Sequence, residues 1–255
     1  FVVQRNFKIF KWILFLFQHA SFKNADKIFV IGRCMQSKLL SKGVSGSRII
    51  TVHNSTSARF VDEGLSGLVS SLSDLLEKQN IILYSGNIGL AHDLTTLVSS
   101  ARKLLNIRPD ISFIIVGGGS NYELVKESAK DITGKNMYFF SPVDQKSLNM
   151  ILSAAPVHFI TLRENFHGLV VPSKFYSSFV TARKIIFEGN SECEIAQLIR
   201  ELGVGEVVNN HDADTLFDIL RGLDFNDMKK PPNNRKINKF QQDYNNMVIV
   251  DKILN

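Results

Sequence analysis

The segment FHGLVVPSKFY, residues 166–176, combines residue types that can bind an anion. Its apolar run ends at Pro172, and Ser173 and Lys174 follow directly. Proline is favoured at the first position of a helix, because its missing N–H costs nothing there. A cation in the first helical turn opposes the helix dipole unless an anion joins it. The pattern therefore predicts an anion site at a helix start, and a lysine pointing to water is the alternative.

Three other residues, two within this segment and one after it, are candidates for ligand contact. Gly168 allows close approach of the backbone to a ligand, and His167 can donate a hydrogen bond to a phosphate or a sugar hydroxyl. A loop histidine satisfied by the protein is the alternative for His167. Glu194 opens a later helix, where an acid stabilises the positive helix end without any ligand.

Two glycine-rich turns each follow a predicted strand and precede a predicted helix. The first, SGNIG, contains Gly86 and Gly89, and the second, VGGGSN, contains Gly118. Glycines at such turns let the backbone approach a phosphate, and the following helix start offers free N–H groups. A plain tight turn explains the first equally well. For the second the plain turn is the preferred interpretation, with a nucleotide passing close by.

Short apolar segments alternate with amphipathic ones from residue 81 to residue 225. This alternation predicts an α/β fold, a doubly wound parallel sheet with helices on both faces. Ligands bind such sheets at the carboxyl ends of the strands, so we expect Gly86, Gly118 and Gly168 to share one edge. The predicted helices include 7–23, 35–43, 93–105, 121–132 and 144–155.

The rest of the chain divides around this domain. We predict a separate first part over residues 1–60, a linker rich in serine and glycine over 61–80, and a helical tail over 226–255. Residues 7–17, FKIFKWILFLF, are very apolar but carry two lysines. The run is shorter than the roughly 20 residues of a spanning helix, which leaves a buried helix or one lying at a membrane surface.

Composition excludes several classes of protein. The 255 residues are 44% hydrophobic and carry a net charge of +6, which indicates a globular chain suited to an anionic partner. The two cysteines are far apart and belong to no CxxC pattern, which argues against a disulfide scaffold or a structural zinc site and favours a reducing compartment. No Ser-His-Asp set and no metal-ligand pattern can be placed by spacing.

The motifs together resemble a known family. ADKIFVIGRCMQSKLLSKGVSGSRIITVHN resembles the end of the N-terminal domain of GT-B glycosyltransferases of family 4, the group 1 transferases. ILYSGNIG, FIIVGGGSNYELVKESA, NMYFFSPVDQKSLNMILSAAPVHFITLRE and HGLVVPSKFY resemble their donor-binding C-terminal domain. The match runs in order over most of residues 25–210. The nearest subgroup is the bacterial transferases for O-antigen (lipopolysaccharide), capsule and colanic acid, which show GLVVPSK in place of a Glu-x7-Glu signature.

The resemblance implies a Rossmann-like, nucleotide-sugar-binding domain over residues 81–225, preceded by a remnant of the N-terminal, acceptor-binding domain. It implies retaining transfer of a hexosyl group from a UDP-sugar to a lipid-linked saccharide in surface polysaccharide biosynthesis. Backbone amides, a helix start and basic side chains would stabilise the diphosphate leaving group. No cofactor, metal or nucleic acid is expected. The expected location is the cytoplasm, with peripheral contact at the inner face of the membrane.

The resemblance also implies a set of binding residues, while it assigns no catalytic residue. The family's Arg/Lys pair near the first glycine turn has no counterpart here, and His92 is the nearest polar candidate. The family's Asn-Gly-x-Asp is NSTS from Asn54 onward. The residues expected to bind the sugar donor are Gly86, Asn87, Gly89, Gly118, His167, Gly168, Leu169, Val170, Ser173, Lys174 and Glu194.

Length separates this chain from the family pattern. Two Rossmann-like domains need about 350–400 residues, and only about 60 precede the predicted linker. We therefore expect a C-terminal portion that is inactive by itself. The alternatives are a non-catalytic sugar-nucleotide-binding subunit that needs a partner chain, and a UDP-sugar 2-epimerase of the same architecture.

Overall fold

A computed structural model describes most of the chain and divides it into two compact units, Phe1–His53 and Asn54–Asn255. The contact boundary falls within the predicted first part, whose assignment as a domain remnant stays a prediction. The predicted C-terminal helix lies outside the described residues, as does most of the apolar segment 7–17. The described residues are 14, 16–54, 56, 65, 67–77, 80–226 and 228.

The described residues of the first unit form a short parallel strand pair and two helical segments. Residues 16–24 are helical, followed by β1 (Ile28–Val30), α1 (Arg33–Ser41), a 3-10 turn (Gly46–Arg48) and β2 (Ile49–Thr51). β1 and β2 pair in parallel. The predicted stop of α1 is present, because Gly43 follows the helix with a φ of +82°. Of the apolar segment, Leu14, Leu16 and Phe17 are described and exposed.

The second unit carries the predicted alternation of strands and helices. A further 3-10 turn covers Glu164–Phe166. The regular elements, in chain order, are α2 (Ser70–Leu76), β3 (Ile81–Asn87), α3 (Thr95–Leu104), β4 (Ser112–Gly118), α4 (Tyr122–Ser128), β5 (Met137–Phe140), α5 (Gln145–Ala154), β6 (Val157–Thr161), α6 (Lys174–Val180), β7 (Lys184–Glu188), α7 (Glu194–Leu202), β8 (Gly205–Val208) and α8 (Ala213–Arg221).

The six strands of this unit form one sheet in the order β5-β4-β3-β6-β7-β8, and every neighbouring pair is parallel. The predicted fold class is confirmed. The chain builds the sheet in one direction from β3 to β5 and then in the other from β6 to β8. The strand order therefore reverses between β3 and β6, which is where such sheets form a ligand crevice.

Side chains of the central strands alternate between two cores. In β3, Ile82 and Tyr84 belong to one apolar cluster and Ile81 and Leu83 to another. The first cluster includes residues of α3 and α8, and the second includes residues of α2 and α5. Both faces of the sheet are covered, which explains why the strands read as continuous apolar runs.

The helices differ from their predicted extents by one to four residues at an end, most of all α4, and no described helix crosses a membrane. α4 ends at Ser128, four residues before the predicted end, and Lys130–Ile132 continue as turns. α5 begins after Asp144, whose side chain accepts a hydrogen bond from the backbone N–H of Ser147. Such a cap explains its well-defined start. Within the described residues no helix is both long and apolar enough to span a bilayer.

Register at the ends of β3 and β4 brings two glycines side by side. Gly86 pairs with Gly117 and Asn87 with Gly118. A Cβ at position 117 would lie 2.1 Å from the carbonyl oxygen of Gly86, and Gly117 has a φ of +149°. Only glycine permits both the conformation and the close approach.

We predict that Gly117→Ala lowers the free energy of unfolding by about 2–5 kcal/mol, through backbone strain and the displaced Gly86 carbonyl. Gly134→Ala is the matched control, because Gly134 also has a positive φ of +78° but nothing within 4 Å of an added Cβ. It should cost only about 1–2 kcal/mol. Urea denaturation of the three proteins gives these values. Equal losses in the two variants would contradict the close-approach argument.

Candidate functional site

A cavity of about 500 Å³ lies at the carboxyl edge of the sheet in the second unit. Glycines that end β3 and β4, including Gly86 and Gly118, line one side. Pro142 and Leu148, before and within α5, contribute apolar surface, and Ser173 and Lys174 come from the start of α6. The cavity therefore combines a backbone-rich side with an apolar side and one cation. Such a combination suits a ligand with an anionic group and a flat or apolar part.

Lys174 crosses the end of β3 instead of extending into water. Its Nζ donates hydrogen bonds to the hydroxyl of Tyr84 (2.8 Å) and to the carbonyl oxygen of Asn87 (2.9 Å). It also lies 3.2 Å from Nε2 of His92 and 4.6 Å from the centre of the Tyr84 ring. A solvated surface lysine, the alternative left open by the sequence, is excluded by these contacts.

The structure explains why position 86 is glycine, for a reason that the sequence did not indicate. A Cβ at this position would lie 2.7 Å from Cε of Lys174, and Gly86 has a φ of +112°. The glycine makes room for the lysine stem as it passes toward Tyr84. The expected role, close approach of a phosphate to the backbone, is compatible with this geometry and stays a prediction.

Burial makes the Lys174 ammonium unusually easy to deprotonate. Desolvation lowers the pKa of Lys174 to about 7, because a low-dielectric site disfavours the charged form. Among the described residues, every acceptor of its hydrogen bonds is a neutral group. The pKa of Tyr84 is raised by burial, so this hydroxyl stays neutral as well. A partly buried cation whose described hydrogen-bond partners are all neutral favours an anionic ligand.

His92 links the lysine to the neighbouring strand β6. Its Nδ1 lies 2.8 Å from the carbonyl oxygen of Thr161, the last residue of β6. Burial and the charge of Lys174 lower the pKa of His92 to about 4, with a smaller contribution from Arg163 in the same direction. The imidazole is therefore neutral near pH 7. The contacts of Lys174 thus connect α6, β3 and β6 across the point where the strand order reverses.

The structure separates the predicted binding residues into two groups. Five line the cavity, and six lie outside its lining. The five are Gly86, Asn87, Gly118, Ser173 and Lys174. The six are Gly89, His167, Gly168, Leu169, Val170 and Glu194. Their contact with a ligand stays a prediction in both groups.

The positions outside the lining have identifiable surroundings. Leu169 is half exposed, and Gly168 is buried with a φ of +69° in the loop after β6. A Cβ at Gly89 would meet the Asn87 side-chain amide at 2.9 Å, so this glycine also serves packing of the first turn. Glu194 is almost fully buried in the first turn of α7.

The predicted helix start is displaced by two residues. α6 begins at Lys174 with Ser173 at the N-cap, so Pro172 precedes the cap and is not the first helical residue. Pro172 instead provides a carbonyl oxygen that accepts from the backbone N–H of Phe175 (3.2 Å). α6 has only seven residues. The case for an anion therefore depends on the buried ammonium and not on a helix dipole.

The sequence did not indicate Tyr84 as a residue of the site, and it indicated only a minor role for His92. Tyr84 reads as one more apolar residue of a buried strand, and only its hydroxyl and its place before the glycine turn mark it as a candidate. His92 was singled out only as the nearest polar residue to the position where the family has an Arg/Lys pair. Across the described part of the chain, no group of three or more His, Cys, Asp or Glu side chains is arranged to hold a metal ion.

The chain is similar in sequence to known glycosyltransferases. Residues 72–171 match the model of the family described as "Glycosyl transferases group 1". WcaI of Escherichia coli (strain K12), named as a glycosyl transferase assigned to colanic acid biosynthesis, is 28% identical over 186 residues, covering 71% of this chain and 45% of WcaI. WbjE of Pseudomonas aeruginosa, named as a glycosyltransferase, is 25% identical over 72% of this chain and 46% of its own length. The chain thus spans about half the length of these relatives.

Solved structures share the fold at low sequence identity. A TarM mutant from S. aureus, in complex with fondaparinux, alpha-GlcNAc-glycerol and UDP, has a TM-score of 0.71 at 13% identity, with 93% of this chain and 45% of TarM covered. HepE from Anabaena, in complex with UDP, has a TM-score of 0.67 at 12% identity, with 90% of this chain and 62% of HepE covered. These likenesses show the fold.

We predict that Lys174→Met removes a pH dependence of stability. Because the pKa of Lys174 is about 7 in the folded protein, against an ordinary value of 10.5, the folded protein binds fewer protons than the unfolded chain between these limits. The free energy of unfolding of the parent should therefore rise with pH in this window, by up to about 1.4 kcal/mol per unit. Urea denaturation at pH 7, 8 and 9 measures the slope.

The control for this measurement is Lys126→Met, at an exposed position of α4. In this variant the free energy of unfolding should rise with pH as steeply as in the parent, since no buried charge is lost. A slope in Lys174→Met that equals that of the parent would show that the ammonium is not destabilised by burial.

Proposed function

Because residues 72–171 match the model of the glycosyl transferases group 1 family, we propose that this chain binds the sugar donor of a retaining hexosyltransferase. The proposed sugar donor is a UDP-sugar, and the proposed acceptor is a lipid-linked saccharide of surface polysaccharide biosynthesis. The observation that carries the proposal is the partly buried Lys174 ammonium beside a glycine-lined cavity, whose hydrogen-bond acceptors among the described residues are all neutral. A nucleoside diphosphate supplies the missing negative charge.

The cavity fits the two ends of such a ligand. The diphosphate would lie toward Lys174 and the glycine turns, where charge and backbone approach are available. The base or ribose would lie toward the apolar side formed in part by Pro142 and Leu148. An anion near Lys174 raises its pKa, because an opposite charge favours the charged form. Ligand binding and protonation of Lys174 should therefore support each other.

The ammonium also has a defined part in the proposed reaction. When the bond between the sugar and the diphosphate breaks, negative charge develops on the leaving phosphate oxygen. A fixed cation in a partly desolvated site stabilises this charge without reorganisation at the moment of reaction. The proposal includes no metal ion, so this stabilisation falls to Lys174 and to backbone N–H groups.

The relatives support the coarser setting of the proposal. WcaI is named for colanic acid biosynthesis, and the structural neighbour WaaG is described as a glycosyltransferase involved in lipopolysaccharide biosynthesis. The TarM mutant and HepE structures both contain UDP. For this chain, we propose a related polysaccharide context at the cytoplasmic membrane surface. Because it spans under half the length of WcaI and WbjE, transfer to an acceptor is proposed for the two-domain enzyme and not for these residues alone.

We predict that Lys174→Ala weakens UDP binding by roughly 10- to 150-fold at pH 6, where the parent ammonium is charged. This range corresponds to the loss of one charge-assisted contact of about 1.5–3 kcal/mol. Calorimetric titration of UDP, with EDTA present because the proposed site needs no metal, measures the change.

Two comparisons sharpen this titration. Lys126→Ala, at an exposed position, should bind UDP like the parent. UMP, which lacks the second phosphate, should bind more weakly and lose less affinity in Lys174→Ala. If Lys174→Ala binds UDP as the parent does, the lysine takes no part in binding the diphosphate and the proposed function loses its main support.

A further inference from the structure

All three N–H donors of the Lys174 ammonium are already used within the protein. They meet the Tyr84 hydroxyl, the Asn87 carbonyl oxygen and Nε2 of His92. An ammonium has three donors in all. A phosphate oxygen can therefore accept a hydrogen bond from Lys174 only if one of these acceptors gives up its place.

The tautomer of His92 follows from its two contacts. Nδ1 faces the carbonyl oxygen of Thr161, which can only accept, so Nδ1 carries the hydrogen. The neutral ring then has a lone pair at Nε2, which faces Nζ of Lys174. His92 is thus an acceptor for the lysine, fixed in orientation by the last residue of β6.

Among the three acceptors, His92 is the one most easily exchanged. Its distance to Nζ is the longest, 3.2 Å against 2.8 Å and 2.9 Å for the other two. The Tyr84 hydroxyl and the Asn87 carbonyl are also joined to each other, because Tyr84 donates to Asn87 (2.9 Å). Displacing either one would disturb the turn after β3, whereas His92 stands outside that pair.

We propose that His92 is a positioning residue that holds the third N–H of Lys174 in the unliganded site and releases it to a phosphate oxygen of the nucleotide. The inference rests on the proposed function, since it names how that site accepts a diphosphate. His92 acts through Lys174 and takes no direct part in the chemistry. Its contact with Thr161 keeps the ring in place while the lysine changes partner.

Charged groups around this pair come from several elements. Asp93 follows His92 and lies 3.4 Å from Arg163, which comes from the loop after β6. Burial, then Lys174 and then Arg163 lower the pKa of His92. Burial acts to raise the pKa of Asp93, but hydrogen bonds from Thr95, with smaller contributions from Arg163 and His211, lower it overall. Tyr84 stays neutral, because burial raises its pKa. Apart from Lys174, which loses an acceptor when His92 is replaced, these groups are the same in the parent and in variants of His92, so their titration cancels in a ratio of affinities taken at one pH.

The test compares UDP affinity of the parent and His92→Phe by calorimetry at pH 5.5 and pH 8.5. Phenylalanine keeps a ring beside Tyr84 and removes the acceptor. At pH 5.5 the variant should bind UDP about tenfold more tightly, because no hydrogen bond to His92 must be broken. At pH 8.5 the two should bind equally, because loss of the acceptor makes the required protonation of Lys174 harder by the same factor.

His92→Gln is the conservative control, because its side-chain carbonyl can replace the Nε2 acceptor. It should follow the parent at both pH values. Thermal unfolding checks that each variant is folded. If His92→Phe does not fold, His92→Leu removes the same acceptor and is titrated in its place.

Other outcomes would overturn the inference. Equal affinity at pH 5.5 with weaker binding at pH 8.5 would show that His92 keeps its bond to Lys174 in the complex. An equal loss at both pH values would show a merely structural role. Absence of UDP binding by the parent, or unchanged binding in Lys174→Ala, would overturn the proposed function together with the inference. If Lys174→Ala weakens UDP binding as predicted, but the affinity of His92→Phe relative to the parent differs from the expected values, the inference alone is overturned.

Discussion

The partial burial of one ammonium group among neutral acceptors organises the carboxyl edge of this protein. Removing a charge from water is costly unless a partner compensates for it, and among the described residues Lys174 is hydrogen-bonded to a hydroxyl, a carbonyl and an imidazole, all of them neutral. The result is a pKa of about 7 for Lys174. A site of this kind gains more from an anion than a solvated lysine would, because the anion supplies the missing counter-charge in a poorly hydrated place. The cavity beside it gives such an anion room.

This arrangement requires a particular sheet. Lys174 comes from α6, and two of its acceptors come from β3. Its third acceptor, His92, is hydrogen-bonded to the last residue of β6. β3 and β6 are neighbours although β4 and β5 lie between them in sequence. The reversal of strand order therefore brings the three elements together, and it also leaves a crevice beside them.

Glycine is the second constraint, since the lysine can reach its acceptors only across a position without a side chain. Gly86 provides that passage, and its strand neighbour Gly117 lets the backbones of β3 and β4 approach closely. The glycine-rich turns thus serve the internal packing of the site. Their availability to a ligand follows from the same absence of side chains, so packing and binding are not competing explanations here.

The sequence by itself determined the alternation of strands and helices, and with it the parallel sheet, because apolar periodicity is a local property that burial on both faces enforces. It also singled out Lys174 and the glycine turns, of which Gly86 and Gly118 line the cavity. Only the tertiary structure decided what the lysine contacts. Tyr84 and His92 lie 90 and 82 residues away from it in sequence. Their meeting depends on strand order and register, which no local pattern encodes.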